Sequence, residues 1–300
     1  MPRGGARAHV NIDRAVTLSR PEMLHGVKDV GLFAQLPPTL FLVDGNNLLW
    51  RAAHGWPAPF VATDGRDLTP LFRFVTLLRR ALGTYGLFAE CVVCFDGADA
   101  WGERLDVDAS YKSNRRYDDK DLSFMGWLPE IRAALDCADV VNIEAPDHEA
   151  DDVIATLAAR AGGRPVRILS TDRDYYQLIA EGTFVVNPRG RPVLMDEDAL
   201  LAQYGVTPKQ WCDFRALAGD PSDGIPGLRG IGIATAASLL RDGKTLEDIG
   251  SLFGEQFDDV VRWRELIRLR TDLPLDFQPT GLPTPRLPAP SRVCEALGLV

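Results

Sequence analysis

Several absences bound the problem before any motif is read. The 300 residues contain no run of roughly 18 or more apolar positions, so no membrane-spanning helix is expected. The arginines near the N-terminus are not followed by an apolar core, so no secretion signal is expected. No segment repeats with a period of about 20–50 residues, which argues against a solenoid. Cysteine is scarce and odd in number: Cys91, Cys94, Cys137, Cys212 and Cys294 are widely scattered. That disfavours a disulfide framework and fits reduced thiols in a cytoplasm. Cys91 and Cys94 form a C-x-x-C, but inside the apolar run Cys91-Val92-Val93-Cys94-Phe95, where buried strand residues are a simpler reading than a metal or redox pair. Positive charge is also in short supply: 33 Lys and Arg face 42 Asp and Glu, for a net charge of −9. Phosphate contacts call for Lys and Arg, so this balance counts against a nucleic-acid partner. The objection weakens if many acids are gathered in one place and neutralised by cations. Setting aside the nine acids singled out below would bring the balance to about zero.

What is present is ordinary for a soluble globular chain, with 46% hydrophobic and 25% charged residues and length for one large domain or two small ones. Residues 1–38, with Gly4-Gly5, Pro21 and Pro37-Pro38, show no periodicity and read as an extension. Beyond them, short apolar runs alternate with helical patterns. Thr39 to Val43 is a buried strand stopping at Asp44-Gly45, and Glu90 to Phe95 is another stopping at Asp96-Gly97. Val140 to Ile143 is a third, and Val166 to Ser170 a fourth that ends at Thr171-Asp172-Arg173-Asp174. Helices are expected over Leu48–His54, Leu71–Tyr85 and Leu128–Leu135, and from Pro146-Asp147 to about Gly162-Gly163 with Asp147 as N-cap. Alternating strands and helices imply a parallel sheet flanked by helices, an α/β architecture whose strand C-termini line one edge. Ligands bind beyond that edge.

Carboxylates recur there. Asp44, Asp96, Asp172 and Asp174 follow three strands, and Glu149 and Asp152, with Asp151 beside them, share one face at a helix start. Asp-Gly pairs also read as turns, and acids in a first helical turn also read as complements to the helix dipole. The joint pattern favours a shared site, because six or seven carboxylates in one cleft are tolerable at neutral pH only around bound cations. Oxygen ligands without Cys or His partners favour Mg²⁺ or Mn²⁺ over zinc.

Downstream, Gly219-Asp220-Pro221-Ser222-Asp223-Gly224-Ile225-Pro226-Gly227-Leu228-Arg229-Gly230-Ile231-Gly232 runs into the helical stretch Ile233 to Leu240. No Gly-Lys-Ser/Thr follows, so it is not a P-loop, and no strand precedes it, which disfavours a dinucleotide fold. A helix–hairpin–helix grip on a DNA backbone suits it, reading phosphates rather than bases. The plainer alternative is a glycine-rich loop between two helices. Asp220 and Asp223 argue for the grip, since they add two acids at one end of the hairpin.

These segments, in order, resemble the bacterial and phage 5′ nucleases. The motifs are Asp44-Gly45-Asn46, Phe95-Asp96-Gly97, Tyr111-Lys112-Ser113-Asn114-Arg115, Glu149-Ala150-Asp151-Asp152, Thr171-Asp172-Arg173-Asp174, and Gly219 to Asp223 with the Pro226 to Gly232 hairpin. The chain looks like the 5′→3′ exonuclease domain at the N-terminus of bacterial DNA polymerase I, over about residues 39–260. The resemblance implies a PIN-like nuclease core (39–205) and a helix–three-turn–helix DNA-binding module (206–272), and the proline content of the tail (273–300) reads as an extended segment without catalytic role. It implies that Asp44, Asp96, Glu149, Asp151 and Asp152 serve one metal site and Asp172, Asp174, Asp220 and Asp223 a second. Lys112 and Arg115 would steer the scissile phosphate, with Tyr111, Arg116, Gly227, Arg229, Gly230 and Gly232 as further DNA contacts and a K⁺ ion held by carbonyls of the module. The expected activity is structure-selective 5′→3′ exonuclease and flap endonuclease cleavage in replication and repair. The expected partner is DNA bearing 5′ flaps, 5′ overhangs or RNA primers, acted on by a free-standing monomer in the cytoplasm with no membrane contact. A PIN-type ribonuclease and a non-catalytic DNA-binding scaffold are the alternatives. An aspartyl phosphatase is disfavoured because Asn46 stands where its second aspartate belongs. The sequence departs from the family at Gly224, where Asn is common, and at Ile233-Ala234, where an acidic–lysine pair often stands. It also departs in the acidic stretch from Asp118 to Asp121.

Overall fold

The computed structural model describes residues 38–55, 58–109, 111–112, 123–188 and 193–300. Its centre is a six-stranded sheet made of β1 (Leu40–Asp44), β2 (Glu90–Phe95), β3 (Val141–Glu144), β4 (Val166–Leu169), β5 (Thr183–Asn187) and β6 (Val193–Met195), in the order β3-β2-β1-β4-β5-β6. Five strands are parallel, and β6 pairs antiparallel with β5. The expectation of a wholly parallel sheet therefore needs correction at this edge. β6 is three residues long, too short to show a period, and it returns directly from β5 as a hairpin strand needing no crossover helix.

Both sheet faces are buried, and side chains alternate between them as the pleat requires. Leu40, Leu42, Val92, Cys94, Val166 and Ile168 join one core, and Phe41, Val43, Cys91, Val93, Phe95 and Leu169 join the other. This is why the strands read as continuous apolar runs. It also settles the C-x-x-C: Cys91 and Cys94 are buried free thiols on opposite faces of one strand.

Helices α1 (Gly45–His54), α2 (Thr69–Tyr85) and α4 (Leu128–Cys137) cover the second face; the short α3 (Gly102–Val107) lies between α2 and α4 in sequence. α5 (Ala150–Ala159) covers the first, joined by α6 (Glu197–Tyr204), α7 (Trp211–Ala218), α8 (Ile233–Leu239), α9 (Leu246–Ile249) and α10 (Phe257–Ile267). The expected helix opening at Pro146-Asp147 begins later. Ala150 is its first residue and Glu149 its N-cap, without a side-chain cap of its own. Asp96 Oδ1 instead accepts the Ala150 N–H at 2.8 Å from the neighbouring strand end. The chain leaves the helix through Gly162 and Gly163, both at positive φ.

The C-terminal segment runs without regular structure from Arg268 to Ala289 and then forms α11 (Pro290–Ala296), a helix that the proline count concealed. Arg160 donates to the carbonyls of Leu273, Leu275 and Phe277 at 2.6–2.9 Å. Glu90 accepts from the N–H groups of Thr280 and Gly281. Val293 and Cys294 are then buried in the second core. The tail is thus bound along the edge where β2 begins, opposite the edge where the acids stand. No described helix is long and apolar enough to cross a membrane.

Candidate active site

The sheet order changes direction between β1 and β4, and a crevice opens beyond the carboxyl ends of strands at such a point. Asp44 closes β1 there and is buried. Its Oδ1 accepts the Asn47 N–H at 2.9 Å, capping α1, and its Oδ2 accepts the Ser170 hydroxyl at 2.8 Å. Burial raises its pKa to about 7, helped by the charges of Asp96 and Asp172 and opposed by those two hydrogen bonds. Asp151 is pushed well above the usual carboxylate range by burial and by the charges of Asp172, Asp44 and Glu149. The Tyr175 hydroxyl donates to Asp151 at 2.5 Å and also lies 3.4 Å from Asp44. Asn47 clasps Thr171 in both directions, its amide N donating to Oγ1 at 2.7 Å and its Oδ1 accepting the Thr171 N–H at 3.2 Å. The turn after β4 is thereby fixed to α1. Asp172 Oδ1 in turn accepts the Asp174 N–H at 2.9 Å. These are the acids that the strand ends were expected to deliver, and they do converge.

A second group stands beside the first. Asp174, Asp220 and Asp223 are buried, and ligand atoms from the three lie within 4.8 Å of one another. The loop that carries two of them closes on itself. Asp220 and Ile225 exchange backbone hydrogen bonds, and the Asp223 N–H donates to the Asp220 carbonyl. Gly219 (φ 85°) and Gly227 (φ 66°) meet backbone to backbone at the neck. A Cβ on Gly227 would stand 2.4 Å from the Gly219 nitrogen. Gly224 sits at φ 75°, a conformation open to Gly and tolerable to Asn, which accounts for the exchange noted in the sequence. Arg215 on α7 pairs with Asp220 and approaches Asp174 at 3.9 Å.

The donor set can be tested for a cation. It is all carboxylate oxygen, as a hard divalent ion requires. Burial and the charges of Asp172 and Asp223 drive Asp174 well above the carboxylate range, and its buried Oδ1 has no hydrogen-bond partner among the described residues. An orphaned buried carboxylate oxygen is costly and is relieved by a ligand cation. The residues fit such an ion.

Residues 39–205 match the 5′–3′ exonuclease N-terminal resolvase-like domain, and residues 206–288 match the 5′–3′ exonuclease C-terminal SAM fold. The chain belongs to the 5′–3′ exonuclease family. Thermostable DNA polymerase I of Thermus thermophilus is 37% identical over 251 residues, covering 79% of this chain and 29% of the polymerase. The chain therefore spans about three tenths of the length of that relative. Among solved structures, the bacteriophage T5 flap endonuclease in a pseudo-enzyme–product complex with DNA and metal ions superposes with a TM-score of 0.60. It is 23% identical, over 76% of this chain and 86% of that one. Flap endonuclease-1 from Methanococcus jannaschii shares the fold with a TM-score of 0.55 and 16% identity, over 87% and 86% of the two chains.

Within this 5′–3′ exonuclease family member, not every expected site residue joins the acid groups. Glu149 stands at the N-cap rather than on a helix face with Asp152, and both are held by Arg104 of α3. Its Nη1 lies 2.6 Å from Glu149 Oε2 and 2.9 Å from Asp152 Oδ2, and its Nη2 donates to Asp152 Oδ1 at 3.0 Å. The Arg270 N–H takes Asp152 Oδ1 as well. Asp152 is thus paired with a half-buried arginine that it shares with Glu149. Glu149 bridges the two settings. Burial would raise its pKa, but the charges of Lys112 and Arg104 outweigh that and hold it below the carboxylate range.

Lys112 is buried at φ 53°, with Nζ on Glu149 and its N–H on the Asp223 carbonyl at 3.1 Å. Tyr111, expected among the DNA contacts, is buried with its hydroxyl on Glu149 at 3.1 Å and its ring 4.8 Å from Lys112 Nζ. Its ring packs against Lys112, so in this structure it supports the lysine. Gly227 likewise serves loop closure, whereas Arg229, Gly230 and Gly232 are exposed, with open space around both glycines. Arg115 and Arg116, and the acidic stretch from Asp118 to Lys120 and on to Leu122, lie outside the described residues.

Sequence reasoning missed Arg104, Ser170, Tyr175 and Arg215. Ser170 carried a signal, as the last residue of a strand two positions before an acid. The others sit on helical elements whose register against the acids is set only by packing.

Proposed function

We propose that this chain hydrolyses DNA phosphodiesters as a structure-selective 5′ nuclease, on 5′ ends, 5′ flaps and RNA primers, in replication and repair. One observation carries the reading: Lys112 joins the two acid groups, its N–H on the Asp223 carbonyl and its ammonium on Glu149. A cation is thus fixed between two carboxylate clusters, at the place where a phosphodiester bound to both would lie. Asp44, Asp96, Asp151 and Glu149 would hold one Mg²⁺ or Mn²⁺, and Asp172, Asp174, Asp220 and Asp223 a second. Bound divalent cations supply Lewis-acid stabilisation of the attacking and leaving oxygens. The protein's own part is orientation and charge. Tyr175 and Ser170 aim Asp151 and Asp44, and Lys112 meets the non-bridging phosphate oxygens as negative charge builds on them.

The module from 206 to 272 would grip the duplex through the exposed Arg229, Gly230 and Gly232, and the open turn there would hold K⁺ through its carbonyls. The free thiols support a reducing, cytoplasmic setting. The match of residues 206–288 to the family's own C-terminal fold favours DNA over the single-stranded RNA of PIN-type ribonucleases. The retention of all nine acids favours an enzyme over a scaffold.

The test is cleavage of a labelled 5′-flap DNA with Mg²⁺, Mn²⁺ or chelator, with single-stranded RNA as the comparison. Cleavage of the flap alone, abolished by chelator and lost in Asp172→Asn, is the expected result. Full Mg²⁺-dependent activity in Asp172→Asn would sink the metal assignment.

A further inference from the structure

The second acid group already contains a cation of its own. Arg215 is an α7 residue four positions before the Gly219 neck. Its Nη2 is on Asp220 Oδ2, and its Nε faces Asp174 Oδ1 at 3.9 Å. Both acids belong to the triad whose ligand atoms lie within 4.8 Å. Asp220 has little left to offer, because Oδ1 accepts the Ser222 N–H at 3.0 Å and the Ser222 hydroxyl while Oδ2 is occupied by Arg215. The fit between Arg215 and the triad is nevertheless incomplete. Arg215 Nε and Asp174 Oδ1 are both buried without a hydrogen-bond partner among the described residues, and 3.9 Å is too long for one to satisfy the other. The arginine thus neutralises the triad without saturating it. Arg215 also lines a polar cavity of about 630 Å³, together with Asn47, Thr171, Arg173 and Asn187 and with the acids Asp172 and Asp220. Arg173 adds a second arginine there, so a phosphate in the cavity would meet two guanidinium groups beside the two acids.

We infer that Arg215 gates the second acid group: a divalent cation and Arg215 compete for Asp220, and the cation wins when a substrate phosphate in the adjoining cavity draws the guanidinium away. Two positive charges on one poorly solvated carboxylate repel strongly, so the two occupants exclude each other. Arginine is matched to phosphate by its planar fork, which gives the displaced group somewhere to go. Metal loading and DNA binding are then linked, and linkage is reciprocal: DNA tightens the second ion by the factor by which that ion tightens DNA. Arg215 is a positioning residue in this scheme, acting through Asp220 and Asp174. The inference rests on the nuclease reading above for the identity of the ligands.

The experiment is a Mn²⁺ titration of the full chain, following free Mn²⁺ by electron paramagnetic resonance and heat by calorimetry, with and without a 5′-phosphorylated product duplex. The wild type should bind one ion tightly when DNA-free, with the second tightened at least ~10-fold by duplex. Arg215→Gln should tighten the second ion in the absence of DNA and abolish the effect of duplex. Arg215→Lys, which keeps the charge, should restore most of the coupling. The inference is overturned if the wild type binds both ions equally with and without duplex. It is overturned equally if a folded Arg215→Gln protein leaves the DNA-free second site unchanged. Urea midpoints in chelator establish folding, and should Arg215→Gln fail to fold, the wild-type comparison decides alone. Failure of the underlying reading looks different: no Mn²⁺ binds in any condition, or Asp44→Asn binds as the wild type does.

Discussion

The two acid groups are built by opposite means. The first is carried by the sheet: Asp44 and Asp96 stand where β1 and β2 end, and the acids answer to hydrogen bonds from Ser170, Tyr175 and Asn47 that originate in neighbouring strand ends and helices. Two of the three acids of the second hang on a loop closed by two glycines and brought to the sheet by α7. The first is held by a rigid frame and the second by a local fold that can be undone without touching the strands. The difference teaches where each site is vulnerable, to charge in the first case and to backbone in the second.

The largest effect should follow a change of charge in the first group. Asp44→Asn removes a carboxylate that would hold a cation directly, so flap cleavage should fall by more than the ~10–100-fold typical of outer partners of a metal. Stability should move the other way. A carboxyl raised to about 7 resists ionisation in the fold, and a neutral amide relieves that cost. At pH 8 the metal-free variant should gain roughly 1–4 kcal/mol by urea denaturation. A variant that loses activity and stability together would show that Asp44 is a structural cap and nothing more.

Backbone comes next. Gly227→Ala places a methyl 2.4 Å from the Gly219 nitrogen and imposes φ 66° on a residue with a side chain. The strain alone costs about 1–3 kcal/mol, and the clash adds to it. The loop should open first, so Mn²⁺ affinity at the second group should fall while the first keeps its ion. Loss of both sites at once, read as two missing ions in a Mn²⁺ titration, would erase the contrast between frame and loop.

A smaller effect is the pH dependence of the first group. Asp44 has its folded pKa raised to about 7 from an ordinary value of 3.8. The sign follows: its contribution to metal-free stability is greatest when protonated, declines as pH rises past the unfolded value, and is fully lost above the folded one. Cation binding needs the ionised form and so releases a proton inside that window. The share of the affinity that Asp44 sets should therefore rise about fivefold from pH 6 to pH 7 and about tenfold by pH 8. Calorimetry in buffers of different ionisation enthalpy would measure the proton directly, and a pH-independent affinity would contradict the shift.

How much of this was legible depends on which element carries a residue. Asp44, Asp96, Asp172 and Asp174 could be found because a strand end is visible as the end of an apolar run, and parallel strands send their ends to one edge. Asp220 and Asp223 were visible as acids beside a hairpin. The helix from Ala150 was legible in its body, but its start was displaced because the cap comes from Asp96, 54 positions away. Helical spacing puts Asp152 near Glu149 at the helix start. Spacing could not show that Arg104, 48 positions earlier, claims both of its oxygens. Gly227 was read as a phosphate cradle because glycine before a helix permits either role, and only the approach to Gly219 distinguishes them. Short-range order is written in the local pattern, whereas ion pairs between remote helices depend on packing that no local pattern encodes.

The smallest expected effect tests whether the loop-borne group and the DNA grip are separable. Arg229 is exposed, two residues past the Gly227 neck, on the turn that leads into α8. If it contacts one phosphate, Arg229→Ala should weaken duplex binding severalfold at moderate salt and reduce the slope of log affinity against log salt by about 0.9. Because the side chain is exposed and beyond the glycine closure, neither Mn²⁺ site should change in the absence of DNA. The salt slope matters more than the affinity, since a lost phosphate contact alters it and a general loosening of the hairpin does not. A variant with an unchanged slope and a weakened second ion would mean that the exposed turn and the closed loop are one unit, and that the duplex grip sets the geometry of Asp220 and Asp223.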